Sequence, residues 1–127
     1  MFKYTFLTLI LISSQISFSD ESIDKFIDSY QDEYQNIALK IWELSEVGYQ
    51  EYRSSNLLQE SLKSKGFRVK TLPYMPTGFI AEFGEGSPVI GILGEFDALP
   101  GVSQSISPFK EKYKNNTAGH ACGHHLF

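Results

Sequence analysis

The chain of 127 residues has one cysteine, Cys122, and so little of that residue excludes an internal disulfide framework of the kind that staples small exported domains. No cluster of Lys and Arg is present to track a phosphate backbone, and the formal net charge is −4, so nucleic acid is excluded as an expected partner. Long apolar runs are missing too. The longest, Tyr4 to Ile12, falls short of the roughly 20 residues a bilayer span needs. No internal repeat or low-complexity tract interrupts a composition that is 42% hydrophobic and 14% aromatic, which is that of a folded domain.

What is present begins with that short run. Lys3 precedes it, and Ser17-Phe18-Ser19 follows it as a small-x-small cleavage signal, the order of a secretory leader. Residues 1–19 are therefore expected to be a signal peptide, and the product to be secreted or exported to a periplasm, a lumen or the medium, with no membrane association after cleavage. Only Lys3 among the charged residues would be lost, leaving residues 20–127 slightly more acidic.

From Ser22 to Leu44 the apolar residues Ile23, Phe26, Ile27, Tyr30, Tyr34, Ile37, Ala38 and Ile41 recur at three- and four-residue steps, predicting one amphipathic helix packed on a core. A break follows at Ser45-Glu46-Val47-Gly48. A second helix is predicted from about Ser54 to Lys65, stopped by Gly66. Strands are then predicted over Phe67–Leu72 and Gly78–Phe83, with Pro73 and Pro76 in the loop between them. Gly84-Glu85-Gly86 turns into a third strand, Pro88 to Gly94, whose apolar residues face both ways and predict burial at the centre of a sheet. The fold class read from this order is α/β, a layered mixed sheet with helices on both faces. Gly101–Asn116 reads as a polar, irregular loop.

All three histidines and the cysteine fall within His120-Ala121-Cys122-Gly123-His124-His125. Thiolate and neutral imidazole are good ligands for zinc and similar borderline-soft divalent ions, and Gly123 lets the backbone bend closely between Cys122 and His124. The residues alone leave three readings open: a metal site, a cysteine nucleophile paired with histidine, or a buried thiol without chemistry. Upstream, Glu95 and Asp97 follow the apolar run at once and, two residues apart, face one side of an extended chain. A carboxylate there is well placed to line a crevice and to accept the second ring hydrogen of a ligating histidine; a solvated acidic turn is the plain alternative. The glycines at 84, 86, 91 and 94 do not link a strand to a helix, so a nucleotide-binding loop is excluded.

Four segments taken together resemble a known family. They are Ile41-Trp42-Glu43-Leu44 through Gly48-Tyr49-Gln50-Glu51-Tyr52-Arg53-Ser54-Ser55, then Met75-Pro76-Thr77-Gly78-Phe79, then Gly94-Glu95-Phe96-Asp97-Ala98-Leu99-Pro100-Gly101, then Gly119-His120-Ala121-Cys122-Gly123-His124. In that order they resemble the aminoacylase-type metallopeptidases (M-twenty peptidases), most of all the amidohydrolase branch with its aminobenzoyl-glutamate, indole-acetyl-amino-acid and dipeptidase-like hydrolases. The resemblance implies a catalytic α/β domain interrupted by a smaller domain that mediates homodimerisation, and two divalent ions, zinc or manganese. It implies Cys122 and His124 as metal ligands and Asp97 as the active-site aspartate. His120 matches a motif position that is not a ligand, and His125 departs from the Asn or Asp usual in relatives.

The Glu-Glu pair, later histidine ligands and dimerisation domain that the resemblance implies do not occur in residues 20–127, which are therefore expected to be the amino-terminal part of the catalytic domain and inactive alone. The expected function of the longer protein is metal-dependent hydrolysis of amide bonds in N-acyl amino acids or dipeptide-like small molecules. The rival expectations are a ligand-binding module or truncated relic of the same fold, and a cysteine hydrolase using Cys122.

Overall fold

A computed structural model describes residues 21–127; the expected signal peptide, residues 1–19, lies outside the described residues. The chain divides after Tyr30 into two compact units. The described part of the first holds helix α1 (Glu21–Asp28), whose first turn carries Glu21 and Asp24, acids that suit the positive end of a helix dipole. None of its residues is buried, and Ile23, Phe26 and Ile27 are exposed. The single long helix expected from Ser22 to Leu44 is thus two helices. Ser29 explains the interruption: its hydroxyl donates to the Phe26 carbonyl at 2.6 Å, competing with the helical ladder, and the Tyr30 N–H turns back to Ile27 O at 3.0 Å.

The second unit begins with α2 (Gln31–Leu44), of which Ile41 alone is buried. Its end is marked by Ser45, which takes a positive φ of 46° and donates its hydroxyl to Trp42 O. Helix α3 (Tyr52–Ser64) follows, and the Lys65–Glu33 ion pair at 2.7 Å ties its end to α2. It stops as expected at Gly66, whose φ of 88° suits a residue without Cβ, with Gly66 N–H and Phe67 N–H returning to Lys63 O and Leu62 O. Strands β1 (Arg68–Leu72) and β2 (Met75–Glu82) form an antiparallel hairpin. Its turn is shorter than expected, because Leu72 already pairs with Met75 and Pro76 lies inside β2. A buried hydrogen bond of 2.7 Å from Ser55 Oγ to Thr77 O fastens α3 to this hairpin.

The third expected strand is the main correction. Residues 83–97 form no ladder, and Val89, Ile90, Ile92 and Leu93 are each more than 80% exposed. A strand apolar on both faces needs a neighbour on each edge and a layer on each face; among the described residues nothing occupies those places. The overall class is nevertheless mixed α/β, with helices beside small antiparallel sheets. Beyond the apolar run, β3 (Leu99–Pro100) pairs antiparallel with β4 (Ala118–Gly119), and a parallel bridge joins Val47 to Ala98. The intervening loop is anchored on α2 by the Trp42 and Tyr113 rings, 4.6 Å apart, and is organised by Gln104, whose amide donates to three carbonyls of the loop. Among the described residues no helix is long and apolar enough to cross a membrane.

Candidate metal centre

Two residues of ladder decide where the chemistry sits. Leu99 pairs with Gly119 and Pro100 with Ala118, so the segment carrying Asp97 and the segment carrying His120 to His125 are brought side by side although they lie more than twenty residues apart in sequence. Gly119 is required at this contact: a Cβ there would lie 2.6 Å from Val102 O and 3.2 Å from Ser103 Cα, both backbone atoms that cannot swing aside. Ala98, 1% exposed, is pinned from the other side, its N–H donating to Glu46 O at 2.8 Å.

Glu46 also holds α3. The N-cap residue Glu51 makes no capping hydrogen bond through its side chain. Instead the Glu46 carboxylate accepts the N–H groups of Arg53 and Ser54 and the Ser54 hydroxyl at 3.2, 2.8 and 2.8 Å, satisfying donors that the helix itself leaves unpaired. Ser54 is fully buried, and both its N–H and its hydroxyl donate to this carboxylate. Glu51 is itself 93% buried, with one carboxylate oxygen unpartnered.

The histidine loop rests on α2. His120 Nε2 lies 3.1 Å from Ile41 O, and a carbonyl only accepts, so Nε2 carries the hydrogen and Nδ1 the lone pair. Burial pushes the His120 pKa below its ordinary value; nearby His125 and His124 push the same way, while the Ile41 hydrogen bond and Asp97 oppose them. Burial also lowers the pKa of His125, whose ring centroid is 5.1 Å from that of His120. Both are therefore neutral near pH 7, and the Nδ1 atoms of both are buried without a partner. His120 thus supports the loop against α2.

Gly123 takes a positive φ of 78° and turns the chain into a short 3-10 segment, His124–Leu126. That turn brings the His124 ring to Asp97: Nδ1 is 2.9 Å from Asp97 Oδ1 and 3.0 Å from its carbonyl oxygen. The opposite ring nitrogen, Nε2, lies 3.2 Å from Glu95 Oε2. Of the residues singled out from the sequence, Asp97 and His124 are in direct contact, while Cys122 is an exposed free thiol. Glu95 had stood out only as the neighbour of Asp97; its contact with the ring depends on a turn that spacing does not reveal.

With Asp97 fixing the hydrogen on Nδ1, the donors left are an imidazole nitrogen, the Glu95 carboxylate and the Cys122 thiol, a set suited to a borderline-soft divalent cation. Among the described residues no three His, Cys, Asp or Glu side chains converge closely enough to hold an ion by themselves. A cavity of about 230 Å³ lined by Trp42, Val102, Gln104, Ser105, His120 and Ala121 lies behind the loop, but Asp97, Cys122 and His124 do not line it.

No family model matches the chain. It is 39% identical over 113 residues to one of the subunits of the p-aminobenzoyl-glutamate hydrolase of Escherichia coli, a match covering 82% of this chain and 22% of that protein. Thermostable carboxypeptidase 2 of Saccharolobus solfataricus is 31% identical over 106 residues, covering 82% of this chain and 26% of the relative. N-acetylcysteine deacetylase of Bacillus subtilis is 33% identical over 91 residues, covering 70% and 23% respectively. The chain spans about a quarter of the length of these curated relatives or less. With four motifs in the family's order and amide and peptide hydrolases as its relatives, the chain belongs to the aminoacylase-type M-twenty metallopeptidases, in their amidohydrolase branch.

Proposed function

We propose that these residues are the amino-terminal part of the catalytic domain of a metal-dependent hydrolase that cleaves amide bonds in N-acyl amino acids or dipeptide-like small molecules. The observation that carries the reading is the 2.9 Å contact between Asp97 Oδ1 and His124 Nδ1. A carboxylate on one ring nitrogen sets the tautomer, orients the ring and raises the basicity of the other nitrogen, which is how histidine is prepared to ligate a metal.

In this reading Cys122 and His124 are ligands for zinc or manganese, Asp97 holds His124 in place, and the remaining ligands and the general base come from residues outside this sequence. Bound metal would supply a polarised scissile carbonyl and a more acidic water. The chain's own residues do the positioning. Glu46 fixes Ala98 and so the segment of Asp97, His120 fixes the loop against Ile41, and Gly123 turns His124 inward. The relatives named for p-aminobenzoyl-glutamate, N-acetylcysteine and hippurate supply the substrate classes to try first. Export through the amino-terminal leader belongs to the same proposal, as does assembly into a homodimer. One relative is named as a single subunit of its enzyme, which makes pairing with a different chain the alternative assembly.

The test is hydrolysis of p-aminobenzoyl-glutamate, hippurate and N-acetylcysteine by the full-length protein before and after exhaustive chelation. Activity is expected to vanish on chelation and return with added divalent metal. Asp97→Asn is expected to weaken metal binding by about 10- to 100-fold. Full activity in the chelated protein would overturn the proposal.

A further inference from the structure

We propose that Lys110, Lys112 and Lys114 draw the carboxylates of anionic substrates toward the histidine loop, an inference that rests on the reading above and names a property its substrates share. Each of the amides for which the relatives are named, p-aminobenzoyl-glutamate, N-acetylcysteine and hippurate, carries a free carboxylate, and the first carries two. This chain meets them with a formal net charge of −4. A local excess of positive charge is what turns that background repulsion into attraction.

The lysines of the loop between β3 and β4 differ from those elsewhere. Lys25, Lys63, Lys65 and Lys70 each form an ion pair with a glutamate, whereas among the described residues none of Lys110, Lys112 and Lys114 does, and all three are exposed. The acids beside them are engaged by hydroxyls instead: Glu111 accepts from Ser105 Oγ at 2.9 Å and Glu43 from Tyr113 Oη at 3.4 Å. Three such charges are too few to track a phosphate backbone. They match a small ligand with one or two carboxylates.

Placement ties them to the site. The loop leaves from Pro100 and returns at Ala118, paired residues that follow Asp97 and precede His120. Lys114 Nζ stands 4.6 Å over the Tyr113 ring, which in turn lies 4.6 Å from the Trp42 ring. The Asn116 amide donates to Glu43 O at 3.4 Å, and His120 Nε2 donates to Ile41 O at 3.1 Å. Three successive residues of α2, Ile41, Trp42 and Glu43, thus hold the histidine loop and the lysine segment next to each other. At an ionic strength of about 0.01 M the Debye length is about 30 Å, so charges held this close act on a ligand approaching the histidines; at about 1 M it is about 3 Å and they are screened.

The test compares KM and kcat of the full-length protein for p-aminobenzoyl-glutamate and hippurate at those two ionic strengths. Replacing Lys110, Lys112 and Lys114 together by glutamine is expected to raise KM for the dianion about tenfold at low salt, the low end of what a focused potential provides, and for the monoanion by about the square root of that factor. Both differences are expected to vanish at high salt. Because the attraction acts equally on bound substrate and transition state, kcat is expected to stay unchanged. Arginine at all three positions should restore the wild-type KM, and Lys63→Gln with Lys70→Gln should leave it unaltered; circular dichroism of each variant reports its fold. An unchanged low-salt KM for both substrates in the folded glutamine variant would overturn the inference, as would a loss confined to kcat, which would assign the lysines to loop structure. If the wild type hydrolyses the two amides in a chelation-sensitive way while the glutamine variant matches it, only the role of the lysines falls. If the wild type hydrolyses neither, the reading on which the inference rests falls with it.

Discussion

Replacing Glu46 by alanine removes one carboxylate and with it three hydrogen bonds, from Arg53 N, Ser54 N and Ser54 Oγ. A hydrogen bond to a charged group is worth about 1.5–3 kcal/mol, and the Ser54 N–H and hydroxyl would be left in a site with no exposure, where an unsatisfied group costs about 1–3 kcal/mol. The negative charge at the start of α3 adds about 0.3–1 kcal/mol through the helix dipole. These contributions overlap, because the lost bonds and the stranded donors are the same groups, so the expected destabilisation is about 2–4 kcal/mol rather than their sum. Denaturant unfolding of the full-length protein measures it. The double variant Glu46→Ala with Ser54→Ala is expected to lose less than the two single variants added together, since Ser54→Ala already removes the stranded hydroxyl. A Glu46→Ala loss below about 0.5 kcal/mol, or full additivity, would refute the capping argument. The backbone bond from Ala98 N to Glu46 O survives the substitution, so any accompanying loss of metal affinity would measure how far the α2–α3 connection positions Asp97.

Gly119→Ala forces a Cβ against Val102 O and Ser103 Cα and should cost about 1–3 kcal/mol, with a change in amide exchange around β3 and β4; a neutral result would mean that this ladder is looser than its geometry indicates. Acid should weaken the metal-free protein through His120 and His125. Their folded pKa values are lowered by burial, so below the unfolded value of about 6.5 the unfolded chain binds more protons and stability falls as pH falls, while above it this contribution is complete. Unfolding midpoints of the metal-free protein at pH 5 and pH 7.5 check the direction, and His125→Asn should flatten the difference.

Local signals account for much of this fold. The stop at Gly66, the break after Leu44 and the β1–β2 hairpin were legible because each depends on a few neighbouring residues: a left-handed glycine, a serine turn, two runs of strand-forming residues. The split at Ser29 was not, because apolar periodicity runs straight through it and the hydroxyl that competes for Phe26 O leaves no periodic trace. The apolar run from Val89 to Leu93 was read for the environment it requires, and periodicity carries no information on whether that environment lies within the same residues. In the site, residue types marked Asp97, Cys122 and His124, whereas the capping by Glu46 and the proximity of Glu95 to His124 come from contacts eight and twenty-nine residues away in sequence.

Val89, Ile90, Ile92 and Leu93 stand in water with their backbone unpaired, which makes this stretch a template for its own kind. Residues 21–127 prepared in isolation would meet one another edge to edge there and associate more strongly as concentration rises. Solubility is thus set by residues that take no part in the histidine loop, and a lysine introduced at Ile90 or Ile92 should keep such a preparation dispersed.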